Sequence, residues 1–382
     1  MTIEHIRIRT KEIGAKKRVK VWNRTLTLDL AKVRTHDELN FFFDPATGMR
    51  LVIAIYNTHY PQALGGMRMH VYPDRMGPVT DVLRLSEGMW HKALMAEVEF
   101  DGAKSVINND PFTEKSPALL AAVGDCIEML AGRYVGGEDL HMYQKDCLAV
   151  AERTTHVGGT TSGGADLVSP DTAYGVVQAI LATSEFLREG RQLGDMSFAV
   201  QGAGKVGYHV IERLVLHGAR VYVSEVADAN NWSKAERVAR EFGAIPVRDL
   251  DEFYRLPVDG FVPCAVGGIL NDKTIDLLRA KFVVGSANNQ LLAPEHGALL
   301  HRKGILYGID FVANAGGLIH LAHEKDESSE VEVREHIARI THGKMLAIYE
   351  HAASNNIPTT VAATRFLAKR EIELRQPKKR LK

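Results

Sequence analysis

One stretch, "MSFAVQGAGKVGYHVIERLVLHGARVYVSEV" at 196–226, constrains the fold more than any other. It reads in order as an apolar strand, a glycine turn, an amphipathic helix and a second strand. Gly202, Gly204 and Gly207 form G-x-G-x-x-G directly after "SFAVQ". Gly202 permits the tight turn. Gly204 lets the backbone approach a pyrophosphate at the positive end of the following helix, and Gly207 lets helix and strand pack closely. Lys205 and Val206 complete the loop. The second strand ends at Glu225, a little over twenty positions after Gly202. A carboxylate there accepts hydrogen bonds from ribose hydroxyls and repels a 2′-phosphate. No arginine stands directly beside it in the sequence, so NAD is favoured over NADP. The bland alternative is a solvent-exposed acid at a strand end.

A chain of 382 residues exceeds one ordinary core and suits two domains. "VGGTTSGGADLVSP", 157–170, has the composition of a loop or hinge, and the boundary is expected there. Before it, "MRLVIAIYN" reads as a strand, "VTDVLRLSEGMWHKALMA" as a helix, and "SPALLAAVGDCIEMLAG" as a second helix capped by Ser116 with Pro117 first. "RYVGGED" starts a short strand. After the boundary, "DTAYGVVQAILATSEFLREG" reads as a helix. Strand and helix signals then alternate, as in a parallel sheet covered by helices. Residues 330–372 read as mostly helical.

Composition excludes several classes. Net formal charge is zero, which gives nucleic acid or an anionic membrane no global attraction. The basic end, "RQPKKRLK", is expected to be a frayed tail. Cys126, Cys147 and Cys264 have no metal-site spacing, so no metal is expected and a reducing compartment fits. The start, "MTIEHIRIRTKEIGAKKRVKVW", lacks a signal-peptide core, and no apolar run has the ~18 residues of a membrane helix. A cytoplasmic protein is expected.

Eight separated segments then coincide with one family: "ALGGMRM" (63–69), "LSEGMWHKA" (85–93), "DGAKSVI" (101–107), "GED" (137–139), "SPDTAYGV" (169–176), "VQGAGKVGYH" (200–209), "GSANNQL" (285–291) and "NAGGLI" (314–319). The chain resembles the amino-acid dehydrogenases of the glutamate/leucine/phenylalanine/valine superfamily, and most resembles the leucine and phenylalanine branch. The resemblance runs from about residue 40 to about 370. It implies a two-domain α/β enzyme with a cleft between domains. Residues 1–160, joined by C-terminal helices 340–382, would bind substrate and oligomerise, and 161–339 would be a Rossmann-type, doubly wound NAD domain. It also implies reversible oxidative deamination of an L-amino acid to a 2-oxo acid and ammonia, and a homo-oligomer.

The same resemblance assigns roles. Lys92 matches the anchor of the substrate α-carboxylate; alone it would read as a helix-surface lysine. Lys104 matches the catalytic lysine, which activates water and stabilises the developing oxygen charge. Asp139 matches the acid/base that exchanges a proton with the amine, where a loop-capping aspartate is the plain alternative. Gly65 and Gly66 would bring backbone close to substrate, unless they merely form a turn. Asn288 and Asn314 match residues near the nicotinamide and the carboxylate. Thr172 matches a hydroxyl near the carboxamide, against the bland reading of a helix-start threonine.

Substrate choice follows from what is missing. Glutamate dehydrogenases carry a lysine where this chain has Leu64, and a serine where it has Leu321. Without them a side-chain carboxylate would be buried unpaired. Leu64, Leu318 and Leu321 point to an apolar pocket for an apolar or aromatic amino acid. The chain also departs from the branch. Asp101, Gly102 and Ala103 replace a run of small residues, mostly glycine. Glu97 and Glu99 replace small or neutral ones, and are expected to face solvent or an oligomer contact. His141, Met142 and Tyr143 stand where the branch has Gly-Thr-Thr. Asp101 would favour the charged form of Lys104 if it faced it. Two alternatives therefore stay open: an oxidoreductase on the same scaffold for an amine-bearing or non-standard amino-acid-like substrate, and a regulatory protein that binds NAD but has lost turnover.

Overall fold

The computed structural model describes residues 3–9, 16–22, 24–29, 35–159, 164–187, 190–225, 229–324 and 328–375. The basic tail beyond 375 and the centre of the expected hinge, 160–163, lie outside them. The chain divides into two compact units: residues 1–93 with 98–165, and 94–97 with 166–382.

The first unit holds, in chain order, β1 (Glu4–Arg9), β2 (Lys16–Val21), β3 (Arg24–Asp29), β4 (Glu38–Asp44), β5 (Met49–Ile55), β6 (Ala63–Leu64), β7 (Met67–Met69), helix α1 (Gly77–Ala96) up to Ala93, β8 (Asp101–Ile107), α2 (Pro117–Glu128), β9 (Tyr134–Val135) and α3 (Gln144–Ala151). β1, β4, β5 and β8 form an antiparallel ladder, and β6 and β7 join β8 in parallel. β2 and β3 form a separate hairpin. β8 is thus central, and every one of its residues is buried. Its two faces differ because side chains alternate along a strand. Ala103 and Ile107 pack with Met67, Met69 and α2, whereas Val106 packs with Val79, Val82 and the hairpin. Each face buries apolar side chains, at roughly 1.5–3 kcal/mol apiece. Ser116 caps α2 as expected, its Oγ accepting from the Leu119 N–H at 3.2 Å, with Pro117 first in the helix.

Beyond residues 94–97, the second unit runs from Asp166 within α4 (Gly164–Leu187). β10 (Ser197–Gln201), α5 (Lys205–Leu216), β11 (Arg220–Ser224), α6 (Ala229–Phe242), β12 (Ile245–Pro246), α7 (Leu250–Tyr254), β13 (Gly260–Pro263), α8 (Asp272–Leu277), β14 (Phe282–Val283), α9 (Glu295–Arg302) and β15 (Leu306–Tyr307) follow. The strands are parallel in the order β12-β11-β10-β13-β14-β15. Order reverses between β10 and β13, so a crevice opens at the carboxyl ends of those strands, beside the glycine turn. The remaining helices are α10 (Asp310–Ala313), α11 (Gly316–His323), α12 (Glu330–Ala338), α13 (Met345–Asn355) and α14 (Thr359–Arg375), with a π-helical turn at Arg339–Lys344.

Two readings of the sequence change here. The segment expected to be loop up to Pro170 is helical from Gly164, with Pro170 inside α4. Close packing accounts for the helix there: a Cβ on Gly316 would stand 2.1 Å from the Asp171 carbonyl oxygen, and one on Gly317 2.6 Å from Thr172 Oγ1. Tertiary contact of that kind outweighs a proline's local cost. The C-terminal helices, expected to join the first domain, are compact with the second unit. Thr360 in α14 packs against Gly297 of α9, and the Thr359 hydroxyl donates to the Tyr307 carbonyl at 2.7 Å.

Candidate functional site

β8 places Lys104 on the same face as Gly102 and Val106, the face that α1 covers. Gly102 sits so close that a Cβ would meet Trp90 N of α1 at 2.4 Å. Lys104 is 5% exposed. Its Nζ donates to Asp139 Oδ1 at 2.8 Å. Asp139 lies at the base of a tight turn, bridged backbone to backbone with Met142. Burial alone would raise the Asp139 carboxyl. The charges of Lys104 and Arg68, with the hydrogen bonds both donate, outweigh burial and hold it well below the usual carboxylate range. Gly66 leaves the room these groups occupy: a Cβ there would stand 2.9 Å from Asp139 Cβ and 3.1 Å from Lys104 Nζ. Gly65 is not a plain turn residue either, since its Cβ would collide with the Ala103 carbonyl oxygen at 1.7 Å. The fully buried Tyr134 fixes this loop, its hydroxyl lying 2.7 Å from Gly65 O and 3.0 Å from Ser105 Oγ.

Lys92 is half-buried on α1. It lies eleven residues beyond Asp81, three helical turns, so the two share a stripe with Gly88 between them. A Cβ on Gly88 would meet nothing within 4 Å. The stripe therefore has open space between an acid near one end and a lysine near the other.

Sequence reasoning missed three members of this cluster. Arg68 stands between the fully buried Met67 and Met69 on β7, so alternation turns it to the opposite face, toward α1. Its Nε donates to Asp139 Oδ2 at 2.7 Å and its Nη1 to Asp81 Oδ2 at 2.9 Å. The Tyr72 hydroxyl donates to the same Asp81 oxygen at 2.6 Å. The available signal was an arginine inside the alternating "MRM" of a recognised motif.

The acids before Lys104 separate into three cases. Glu97 is not directed to solvent. It follows α1 with a left-handed backbone (φ 57°), and both its oxygens are paired at 2.6 Å, one with Arg339 and one with Lys344. Burial opposes ionisation, yet the Lys344 and Arg339 hydrogen bonds lower its pKa to about 2. Glu99 is exposed. Asp101 does not face Lys104: three positions apart on one strand, they point to opposite faces. Its Oδ2 accepts from the Tyr60 N–H at 2.7 Å, while its Oδ1 is buried without a hydrogen-bond partner. Burial, only partly offset by the backbone hydrogen bonds of Tyr60 and His59, raises its pKa to about 7.

Folding thus raises the Asp101 pKa above its unfolded value. Between about pH 4 and about pH 7 the folded chain keeps a proton the unfolded chain has lost, so stability falls as pH rises through that window. Asp101→Asn cannot ionise and keeps an acceptor for Tyr60. It is expected to remove that fall, gaining on the order of 2 kcal/mol over wild type above pH ~8. Denaturant unfolding of both proteins on either side of the window checks this, and equal pH slopes would refute it.

In the second unit Gly202 has φ 99°, and a Cβ on Gly207 would lie 2.0 Å from Gly202 O, so both positions require glycine. A Cβ on Gly204 would meet nothing within 4 Å. The turn therefore presents open backbone at the N-terminus of α5, where Lys205 and Val206 form the first turn. Glu225, 7% exposed, accepts from the Ala203 N–H through Oε1 at 2.6 Å and so ties the strand end to the loop. Asn314 and Asn288 come together, Asn314 Nδ2 donating to Asn288 Oδ1 at 3.0 Å. Asn314 Oδ1 and Ser224 Oγ are buried without hydrogen-bond partners. An open glycine cradle with orphaned polar atoms is what a dinucleotide needs, and the residues present fit one. Thr172 is not at a helix start. It lies inside α4 and donates to Val168 O at 2.7 Å. Leu318 (buried) and Leu321 (half-buried) lie three apart on α11 and share a side of it. Leu64 is buried in the first unit.

Comparison with known proteins agrees with both halves. Residues 40–156 match the model described as "Glu/Leu/Phe/Val dehydrogenase, dimerisation domain", and 163–376 match "Glutamate/Leucine/Phenylalanine/Valine dehydrogenase". A phenylalanine dehydrogenase of Caldalkalibacillus thermarum (strain TA2.A1) is 40% identical over 349 residues, 91% of this chain and 93% of that protein. A leucine dehydrogenase of Geobacillus stearothermophilus is 36% identical over 337 residues, 88% of this chain and 90% of that protein. The crystal structure of L-tryptophan dehydrogenase from Nostoc punctiforme superposes with a TM-score of 0.75 at 35% identity, covering 91% of this chain and 98% of that one. With the Lys–Asp unit matched over 40–156 and the glycine-cradle unit over 163–376, the chain belongs to the glutamate/leucine/phenylalanine/valine dehydrogenase family.

Proposed function

We propose that the protein is an NAD-dependent L-amino-acid dehydrogenase that converts an apolar or aromatic L-amino acid and water to the 2-oxo acid and ammonia, reversibly. The observation that carries the reading is the buried Lys104–Asp139 pair at 2.8 Å, packed so closely on Gly66 that no Cβ would fit there. Lys92 holds the α-carboxylate as a point charge. Asp139 takes a proton from the α-ammonium. NAD held in the glycine cradle of Gly202, Gly204 and Gly207 would supply the acceptor for the hydride that leaves Cα. Lys104, once its ammonium has released a proton to solvent, takes a proton from water as that water attacks the iminium carbon, and as an ammonium again it steadies the oxygen that forms. Asp139 returns its proton to nitrogen and takes the hydroxyl proton as the C–N bond breaks and ammonia departs. Gly65 and Gly66 supply backbone next to the reacting atoms. Gly202, Gly204, Lys205, Val206 and Gly207 cradle the pyrophosphate, Glu225 meets the adenosine ribose, and Thr172, Asn288 and Asn314 lie at the nicotinamide end.

Leu64 in the first unit and Leu318 and Leu321 in the second offer a side-chain carboxylate no partner, which disfavours glutamate because its carboxylate would be buried unpaired. The phenylalanine, leucine and tryptophan dehydrogenases among the similar proteins support a substrate of this kind. The match of the first unit to a dimerisation-domain model supports a homo-oligomer. Free, mostly buried cysteines suit the reducing cytoplasm. Among the described residues no helix is long and apolar enough to cross a membrane.

The test is a panel assay: NADH formation with each L-amino acid, and NADH consumption with 2-oxo acids plus ammonia, both repeated with NADP. Turnover is expected with leucine, phenylalanine or tryptophan, with little for glutamate and with NAD preferred. Turnover only with cationic substrates would favour the amine-bearing alternative. NAD binding without turnover on any member would favour the regulatory one.

A further inference from the structure

The geometry points to Arg68 as a positioning residue that divides the Asp139 carboxylate into one fixed oxygen and one exchanging oxygen. This rests on the reading of Asp139 as the proton-transfer group. Both Asp139 oxygens are held in the structure: Oδ1 by the Lys104 ammonium at 2.8 Å and Oδ2 by Arg68 Nε at 2.7 Å. A carboxylate held by a cation at each oxygen binds a proton poorly. To take the proton of a substrate ammonium, one oxygen must lose its partner.

The two partners differ in how readily they can leave. An ammonium on a four-carbon stem rotates freely, whereas a guanidinium is a planar fork whose donors are fixed relative to one another. The Arg68 fork spans two carboxylates. Nε serves Asp139, Nη1 serves Asp81 at 2.9 Å, and Asp81 is itself held by the Tyr72 hydroxyl at 2.6 Å. Moving Arg68 breaks both contacts, and moving Lys104 breaks one. Oδ1 is therefore the exchanging oxygen. Oδ2 stays tethered, so the carboxyl keeps its orientation while its proton comes and goes.

Charge balance supports the same division. Among Lys104, Arg68, Asp139 and Asp81 the formal charges cancel. When Asp139 accepts a proton, Arg68 retains its pairing with Asp81, and no unpaired guanidinium is left in a site where only a fifth of its side chain is exposed. Asp81 thereby acts on the reaction through Arg68.

The test compares Arg68→Met, Arg68→Lys and Asp81→Asn with wild type, using the best substrate of the wild-type panel. Absence of wild-type turnover strikes the functional reading alone; altered behaviour of the variants is judged only against an active wild type. Removing one cation raises the Asp139 pKa. Arg68→Met is expected to move the acidic limb of the kcat–pH profile upward by about one unit or more and to lower kcat by about 10²-fold, with KM within about threefold. Arg68→Lys should recover part of both, and Asp81→Asn should lower kcat less than Arg68→Met. Melting temperatures show whether each variant folds. An Arg68→Met enzyme with a wild-type limb and kcat would overturn the proposal, as would a KM rise at unchanged kcat. If Arg68→Met does not fold, Asp81→Asn decides by the same readouts, and an unchanged kcat refutes it.

Discussion

Replacing Lys104 by alanine is expected to lower kcat by about 10³- to 10⁴-fold, the upper range for loss of a general acid–base group, while NAD affinity stays within about twofold of wild type. The separation follows from where the residues lie. Lys104 sits on the central strand of the first unit, and the glycine cradle belongs to the second. Asp139 would lose the donor on Oδ1 but keep Arg68 on Oδ2. Stability should therefore fall by less than the ~3–5 kcal/mol typical when one partner of a buried ion pair is removed. Steady-state kinetics, NADH titration and a thermal melt read the three quantities. A kcat within tenfold of wild type would remove Lys104 from the mechanism. A collapse of NADH binding would mean the lysine also shapes the second unit.

What could be read from the sequence was mostly what is decided locally. The glycine turn, its flanking strands and the cap at Ser116 each depend on neighbours a few positions away, and each formed as expected. The stretch "MAEVEFDGAKSV" shows where that fails. The helix expected over "VTDVLRLSEGMWHKALMA" does end at Ala96, and β8 starts at Asp101, but Glu97 between them does not simply face solvent. The turn between them is fixed at Glu97 by Arg339 and Lys344, more than two hundred positions away. Parity along β8 sets Asp101 against Lys104, wherever the strand begins. The Arg68 network escaped for a related reason: its partners Asp81, on α1, and Asp139, in a turn, lie 13 and 71 positions away, and only tertiary packing brings them together. Lys104 and Asp139 were reached through motif resemblance, since spacing alone does not pair residues 35 apart.

Gly65→Ala is expected to cost about 3–5 kcal/mol in stability, enough to leave a marginal chain largely unfolded. The added methyl carbon would stand 1.7 Å from Ala103 O, 2.4 Å from Ala103 C and 3.0 Å from Lys104 N. All three are backbone atoms of β8, so no side chain can swing aside. β6 must separate from β8 instead. That breaks the parallel pairing of Ala63 with Asp101 and Leu64 with Gly102, and pulls Gly65 O from the buried Tyr134 hydroxyl. A Tyr134 hydroxyl left with fewer partners in a dry interior adds its own penalty. Strain of backbone dihedrals plays no part, because Gly65 is not among the residues with positive φ. Gly66→Ala provides the contrast. Its methyl would press on Asp139 Cβ at 2.9 Å and Lys104 Nζ at 3.1 Å, as well as on Glu138 O at 2.6 Å, so the strain falls largely on the reacting pair. Chemical denaturation should therefore rank Gly65→Ala as the less stable variant, whereas kcat per folded molecule should fall further in Gly66→Ala. The reverse order in both measurements would mean that Gly65, rather than Gly66, borders the reacting atoms.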